Sequence, residues 1–260
     1  RLVREWLGAH AAAGYLDYDD ATGRFAMNPE QAMVFGNPDS PVYMLGSFEV
    51  CQAVMVDQPK VSKAFRNGGA AGYHERCSCL FSGMSRFFGV SYKAHLVQEW
   101  LPALDGVVGK MTRGAKVADI GCGHGTSTIL MAKAFARSRF VGIDNHVDSI
   151  ACARDATERE GVAARVEFAV ATAKNFAGNG FDLICCFDAL HDLGDPVGAA
   201  RRILEAMAPD GTFMAVEPRA GDTLEDNMNP VGRLYYAGST MICTPVSLAE
   251  EVGLALGGQA

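Results

Sequence analysis

Apolar positions recur along the chain with two different periods. Leu2, Val3, Trp6 and Leu7 repeat at helical spacing and lead through Ala11–Ala13 to Gly14. Tyr15–Tyr18 and Arg24–Met27 are short strand-like runs, and Asp19-Asp-Ala-Thr-Gly23 between them is turn chemistry, so a hairpin is expected. A helix followed by such a hairpin is the pattern of the second half of a winged-helix unit. After Pro29 the pattern is helical again, with helices expected over Val42–Val56, Lys60–Phe65, Phe81–Phe88 and Tyr92–Leu101. Residues 1–40 therefore read as a partial winged-helix-like module and 41–113 as a helical connector.

The period changes beyond residue 113. Apolar runs at Lys116–Ile120, Phe140–Ile143, Val166–Val170, Phe181–Phe187 and Thr212–Val216 predict five strands. Helices are expected over Thr126–Ala136, over Val147–Glu160, and from Asp195-Pro196 to the turn Pro209-Asp-Gly211. Asp195 is the cap of the last of these and Pro196 its first helical residue. Strands alternating with helices imply a doubly wound, mostly parallel α/β sheet covered on both faces, spanning 114–260.

Composition narrows the classes. At 260 residues with a net charge of −7, the chain has no overall field to draw in nucleic acid or an anionic membrane surface. No apolar run approaches the roughly 18 residues of a membrane span. Neither a membrane nor a nucleic-acid partner is expected, and the setting expected is cytoplasmic. The eight cysteines are scattered, and Cys77-x-Cys79 lacks the spacer of a zinc knuckle. Idle thiols and no metal are the expectation. The start in mid-helix and the end at Leu256-Gly-Gly-Gln-Ala260 both read as cut.

The strongest chemical signal is the turn Gly121-Cys-Gly-His-Gly125, between a strand ending at Ile120 and a helix opening at Thr126. Glycines let a ligand approach the main chain closely, and a helix start presents free N–H groups and a positive dipole end. Asp144, at the end of the next strand, is placed to take ribose hydroxyls. Dinucleotide dehydrogenases use a related turn, but their third glycine lies one position later. Asp119, two residues before the first glycine, suits a cationic ligand and would repel a pyrophosphate.

Four motifs in order then carry a resemblance. Val117-Ala-Asp-Ile-Gly-Cys-Gly-His-Gly125 resembles the first motif of class I S-adenosylmethionine methyltransferases. Phe140-Val-Gly-Ile-Asp144 resembles their second-strand acid motif. Phe181-Asp-Leu-Ile-Cys-Cys-Phe-Asp-Ala-Leu-His191 is similar to their fourth strand and the loop after it, and Met214-Ala-Val-Glu-Pro218 to their fifth. The flanks, including Asn229-Pro-Val-Gly-Arg-Leu-Tyr-Tyr236, resemble an actinobacterial-type group of winged-helix methyltransferases. The resemblance implies S-adenosylmethionine as cofactor. Gly121, Cys122, Gly123 and Gly125 would lie along it with Asp119 close by, and Asp144 would take the ribose. Asn145, Thr172 and Ala173 would lie near the adenine, and Asp188 at the methionyl end. It also implies seven strands, the last two beyond Ala260.

Methyl transfer from a sulfonium releases a neutral leaving group, so alignment supplies much of the rate, and a base is needed only when the acceptor must lose a proton. His191, assisted by Asp188, is the candidate for that step. Glu217, Arg233 and Tyr236 are the candidate acceptor-side residues. The function expected is methylation of a small molecule, with oxygen the expected acceptor atom. The connector would cover the site and pair two subunits as a homodimer. The alternative, a winged-helix transcriptional regulator that senses S-adenosylmethionine, needs a basic wing. The hairpin instead carries Asp17, Asp19 and Asp20 against Arg24.

Overall fold

The computed structural model describes residues 1–259. Helix α1 (Leu2–Ala12) leads to the antiparallel hairpin of β1 (Asp17–Asp19) and β2 (Arg24–Ala26). Asn28 then caps the short helix α2 (Pro29–Gln31) through a reciprocal pair of bonds with Gln31. Leu2, Val3 and Trp6 are all exposed.

The connector differs from expectation at one point. Helix α3 runs unbroken over Leu45–Asn67 with Pro59 inside it, where two shorter helices were expected. A mid-helix proline removes one backbone bond. Here that loss is offset by packing along α4 (Ser78–Ser91), around Ala53 and Leu80. Helix α4 continues as wide π-helical turns over Tyr92–Trp100, and α5 (Val107–Arg113) precedes the sheet. Cys77 and Cys79, expected to be idle thiols, are joined as a disulfide at the start of α4, with their Cα atoms 5.3 Å apart. That separation is within the range a disulfide spans.

The remaining strands form one parallel sheet. They are β3 (Lys116–Ile120), β4 (Arg139–Asp144), β5 (Val166–Val170), β6 (Phe181–Phe187) and β7 (Met207–Val216). Their order is β5-β4-β3-β6-β7. Helices α6 (Thr126–Ala134), α7 (Val147–Arg159) and α8 (Pro196–Ala206) make the crossovers. Successive side chains feed opposite layers: Val117, Leu183 and Cys185 enter one core cluster, Ala118 and Ile184 the other. Both faces are covered, so the strands read as nearly continuous apolar runs.

Two boundaries moved. Helix α6 ends at Ala134 rather than Ala136, and α8 ends at Ala206 rather than at Pro209-Asp-Gly211. That turn lies inside β7 as an irregularity. Met207 pairs with Phe181, and the next ladder partner of β6, Leu183, is Thr212. Beyond the sheet, α9 (Pro230–Met241) is capped by Asn229, whose Oδ1 accepts from the N–H groups of Val231 and Gly232. Helix α10 (Cys243–Ser247) packs on the turn after β6. Among the described residues, no helix is long and apolar enough to cross a membrane.

Candidate active site

The chain order reverses between β3 and β6, so the loops that follow these two strands diverge and leave a crevice at their carboxyl ends. A cavity of about 400 Å³ occupies it, a size suited to a small-molecule ligand. Its floor is the glycine turn after β3, and one wall is the end of β4. The opposite wall is the loop after β6, and the roof comes from α4 and the turns beyond it.

The turn requires glycine. Gly121 and Gly125 have φ of +72° and +76°. A Cβ on Gly121 would lie 2.6 Å from the Cβ of Ala189, and one on Gly125 would lie 2.5 Å from Cζ of Phe168. A Cβ on Gly123 would meet nothing within 4 Å, so the turn faces open space there. Asp144 fixes the turn from the side: its Oδ2 accepts from Gly123 N at 2.9 Å and its Oδ1 from His146 N at 2.8 Å. Asp144 and Asn145 both line the cavity, as do Gly121, Cys122, Gly123, Thr172, Ala173 and Asp188.

Asp188 holds a left-handed backbone at φ +51°, a conformation that costs a non-glycine residue about 1–3 kcal/mol. Its N–H donates to Val216 O at 2.8 Å, and its Oδ2 accepts from the Tyr92 hydroxyl at 3.0 Å. Burial, opposed by the Tyr92 hydrogen bond, raises its pKa to about 6.

Six sequence-predicted residues lie off the wall. Asp119 is beneath the turn and 1% exposed; its Oδ2 accepts from Ser127 and Thr128 hydroxyls at 2.6 Å each, and its Oδ1 has no partner. Burial raises its pKa to about 6. The strand's alternation aims this side chain at α6 and away from the cavity. Gly125 lies behind the turn, against Phe168. Glu217 is turned to the loop after β6: its Oε1 accepts from Ala189 N and Leu190 N, and its Oε2 is hydrogen-bonded to Nδ1 of His191. His191 is thereby held behind the wall, its side chain 13% exposed, with Nε2 3.3 Å from Oδ1 of Asp192. Burial lowers its affinity for a proton, but the bond to Glu217 and the surrounding carboxylates outweigh this and lift its pKa to about 8. Arg233 and Tyr236 are on α9, where the inward positions are Gly232 and Ser239. Arg233 is exposed, and Tyr236 packs against the last described turn.

Other residues on the wall carried no local signal. Tyr73, Phe81, Met84, Phe88 and Tyr92 form an apolar, aromatic roof. Phe81 stacks on His146 at 3.9 Å, which joins the roof to the end of β4. Lys174, Asp192, Glu250 and Glu251 add charge at the rim, and Glu250 accepts from Gly194 N at 2.9 Å.

A family model described as a methyltransferase domain matches residues 111–251, more than half of the chain. The chain belongs to this methyltransferase family. The ubiquinone biosynthesis O-methyltransferase of Actinobacillus pleuropneumoniae is 31% identical over 107 residues, covering 38% of this chain and 44% of that protein. The chain spans less than half the length of the first curated relatives it matches. Among solved structures, the mitomycin 7-O-methyltransferase MmcR superposes with a TM-score of 0.66 at 20% identity, over 96% of this chain and 73% of that one. PigF, solved with SAH, gives 0.64 at 17% identity, over 92% and 72%. These likenesses establish the fold as the Rossmann-like methyltransferase fold with a helical module before it.

Proposed function

We propose that the protein transfers a methyl group from S-adenosylmethionine to a small molecule, with a hydroxyl oxygen as the acceptor atom. The observation that carries this reading is the pairing of Asp144 with the glycine turn on one wall of the cavity, opposite Asp188 on the other. The residues fit the cofactor. The turn leaves its main chain open at Gly123, and Asp144 offers a carboxylate at ribose height beside it. Asp188 offers a second carboxylate toward a methionyl ammonium. The solved structure of PigF with SAH supports the same assignment.

Bound there, the sulfonium supplies an electrophilic methyl group. The chain's part is to align and to exclude water. Gly121 and Asp188 flank one end of the cavity, and Phe81, Met84 and Phe88 close it with apolar surface that selects an apolar, hydroxyl-bearing acceptor. His191, oriented by Glu217, takes the acceptor's proton by way of the Asp192 edge of the wall. The setting proposed is the cytoplasm. The exposed Leu2, Val3 and Trp6 of α1 support a homodimer built through the N-terminal helices, and light scattering tests it.

The function is tested by titration and turnover. S-adenosylhomocysteine is expected to bind at one per chain, and labelled methyl should pass from S-adenosylmethionine to hydroxylated aromatic acceptors. Binding of NADH with none of S-adenosylhomocysteine would overturn the reading. His191→Ala should lower turnover far more than cofactor affinity; general-base help is typically worth about 10²–10⁴ in rate.

A further inference from the structure

The roof of the cavity is pinned by a covalent link. Cys77 and Cys79 are joined as a disulfide at the start of α4. Tyr73 lies just before the link and Phe81 just after it, and both line the cavity. We propose that Cys77 and Cys79 form a reversible thiol–disulfide site: a thiol reductant of the glutathione class opens the pair, and opening loosens the roof. The consequence for catalysis rests on the methyl-transfer reading, whereas the redox chemistry of the pair does not.

Three observations favour a switch over a permanent staple. The first is the loop closed. Chain-entropy stabilisation by a disulfide grows with the length of chain it encloses, and residues two apart enclose almost none. Helices α3 and α4 are joined instead by packing around Ala53, Leu80 and Ile242. The second is access. Both cysteines are half-buried, whereas Cys122, Cys185 and Cys186 are buried, so a small thiol can reach the pair. The third is the setting. In the cytoplasm proposed above, disulfides are usually transient and serve catalysis or redox sensing.

The local structure shows what the link holds. Cys77 is the N-cap of α4, yet its side chain accepts no capping bond and the first turn carries no acidic residue. A thiol is a weak acceptor, and helices favour Ser, Thr, Asp or Asn at this position. The disulfide stands in for a cap by tying the N-cap residue to the first turn. Upstream, the chain has other anchors. Cys77 N donates to both carboxylate oxygens of Asp57 on α3, at 3.3 and 3.0 Å, and Asp57 is paired with Lys60. Ala71 N donates to Pro245 O at 3.1 Å, and Gly72 N to Oε2 of Glu75 at 3.0 Å. When the link opens, the turn bearing Tyr73 keeps these bonds, while the first turn of α4 loses its covalent support and frays. Phe81 follows directly. Its ring meets Tyr73 edge-on at 4.9 Å and stacks on His146, whose backbone N–H donates to Asp144. Fraying at Ser78–Leu80 therefore reaches the cofactor wall.

The step is thiol–disulfide exchange. A reductant thiolate attacks one sulfur and releases the other cysteine as a thiolate. A second reductant thiolate attacks the mixed disulfide and frees the first cysteine. Cys77 and Cys79 gain two electrons and two protons in all, and two reductant thiols become one disulfide.

The test equilibrates the full chain with reduced and oxidised glutathione, without denaturant, then alkylates free thiols and maps the two cysteines by mass spectrometry. The pair should open and close reversibly while the chain stays folded. Amide hydrogen exchange over residues 78–84 should be faster in the reduced form, and S-adenosylhomocysteine should bind about 2–30-fold more weakly, the worth of a helix cap expressed as a ratio. Cys77→Ala with Cys79→Ala should match the reduced wild type and ignore the reductant. Cys77→Ser with Cys79→Ala should recover affinity, because serine supplies the cap that the disulfide replaces. A pair that opens only when the chain unfolds, or reduced and oxidised forms with the same exchange over 78–84 or the same affinity, would overturn the proposal. Thiol mapping and exchange need no ligand, so a failure of S-adenosylhomocysteine to bind either form would sink the methyl-transfer reading and leave this one standing.

Discussion

The two walls of the cavity are built in different ways. On the glycine-turn side, Gly121, Gly123 and Asp144 come from one strand–helix–strand unit, and adjacent parallel strands β3 and β4 bring them together. On the Asp188 side, Tyr92, Asp188, His191, Glu217 and Cys243 come from the helical connector, the loop after β6, the end of β7 and α10. The first wall is main chain plus one carboxylate. The second is a network of side chains, each holding the next. A backbone cradle depends on local conformation, so single substitutions should break it outright. A network shared among elements should yield by degrees.

The largest effect should follow a substitution that joins the walls. Gly121→Val places a side chain at positive φ and drives its Cβ into Ala189 on the opposite loop. Strain and overpacking together should cost about 2–5 kcal/mol, seen as a lowered urea midpoint with loss of S-adenosylhomocysteine binding. Retention of both would show that the turn does not set the cavity's shape.

Asp119 sharpens the contrast by pH. Its folded pKa of about 6 lies above the unfolded value, so its burial costs stability when it is ionised. That cost is fully present above pH 6 and is relieved as pH falls from about 6 toward 4. The rise from the ordinary carboxylate range to about 6 corresponds to roughly 3 kcal/mol. Asp119→Asn should therefore gain on the wild type between pH 5 and pH 8 in paired melting curves. A constant difference across that range would mean that Asp119 does not titrate there.

Asp144→Ala should weaken S-adenosylhomocysteine by about 1.5–3 kcal/mol, the worth of a hydrogen bond to a charged group, and leave Gly123 N without its acceptor. An unchanged dissociation constant would remove Asp144 from the cofactor site. Tyr92→Phe should be smallest. It deletes one hydroxyl bond to Asp188 and should cost about 1 kcal/mol of cofactor affinity, because the left-handed backbone and the Val216 bond still hold Asp188. A loss as large as that at Asp144 would make the two walls equivalent.

The same contrast explains what could be read from sequence. All five strands of the sheet were legible: the inner strands β3 and β6 are buried on both faces, and the edge strands β5 and β7, though partly exposed, are still short, mainly apolar runs. The glycine turn and Asp144 were legible because a strand end fixes where its last side chain and the next loop lie. The connector was expected to cover the site, but Phe81 and Tyr92 were not legible as its inward residues, since no local pattern says which of its side chains face the cavity. Glu217 and His191 were named, but their orientation toward each other depends on a loop whose backbone at Asp188 is left-handed. Arg233 and Tyr236 lie off the cavity wall because α9 turns its small residues, Gly232 and Ser239, inward. Pro59 and Pro209-Asp-Gly211 misled because tertiary packing carried a helix and a strand through residues that usually end them.

The central claim is that both walls close on one ligand, and a crystal structure of the chain with S-adenosylhomocysteine tests it most directly. The account predicts the ribose hydroxyls on Asp144, the homocysteine end between Gly121 and Asp188, and the sulfur facing the roof of Phe81 and Phe88. A ligand bound outside the cavity, or one whose adenine lies at Asp188, would contradict it.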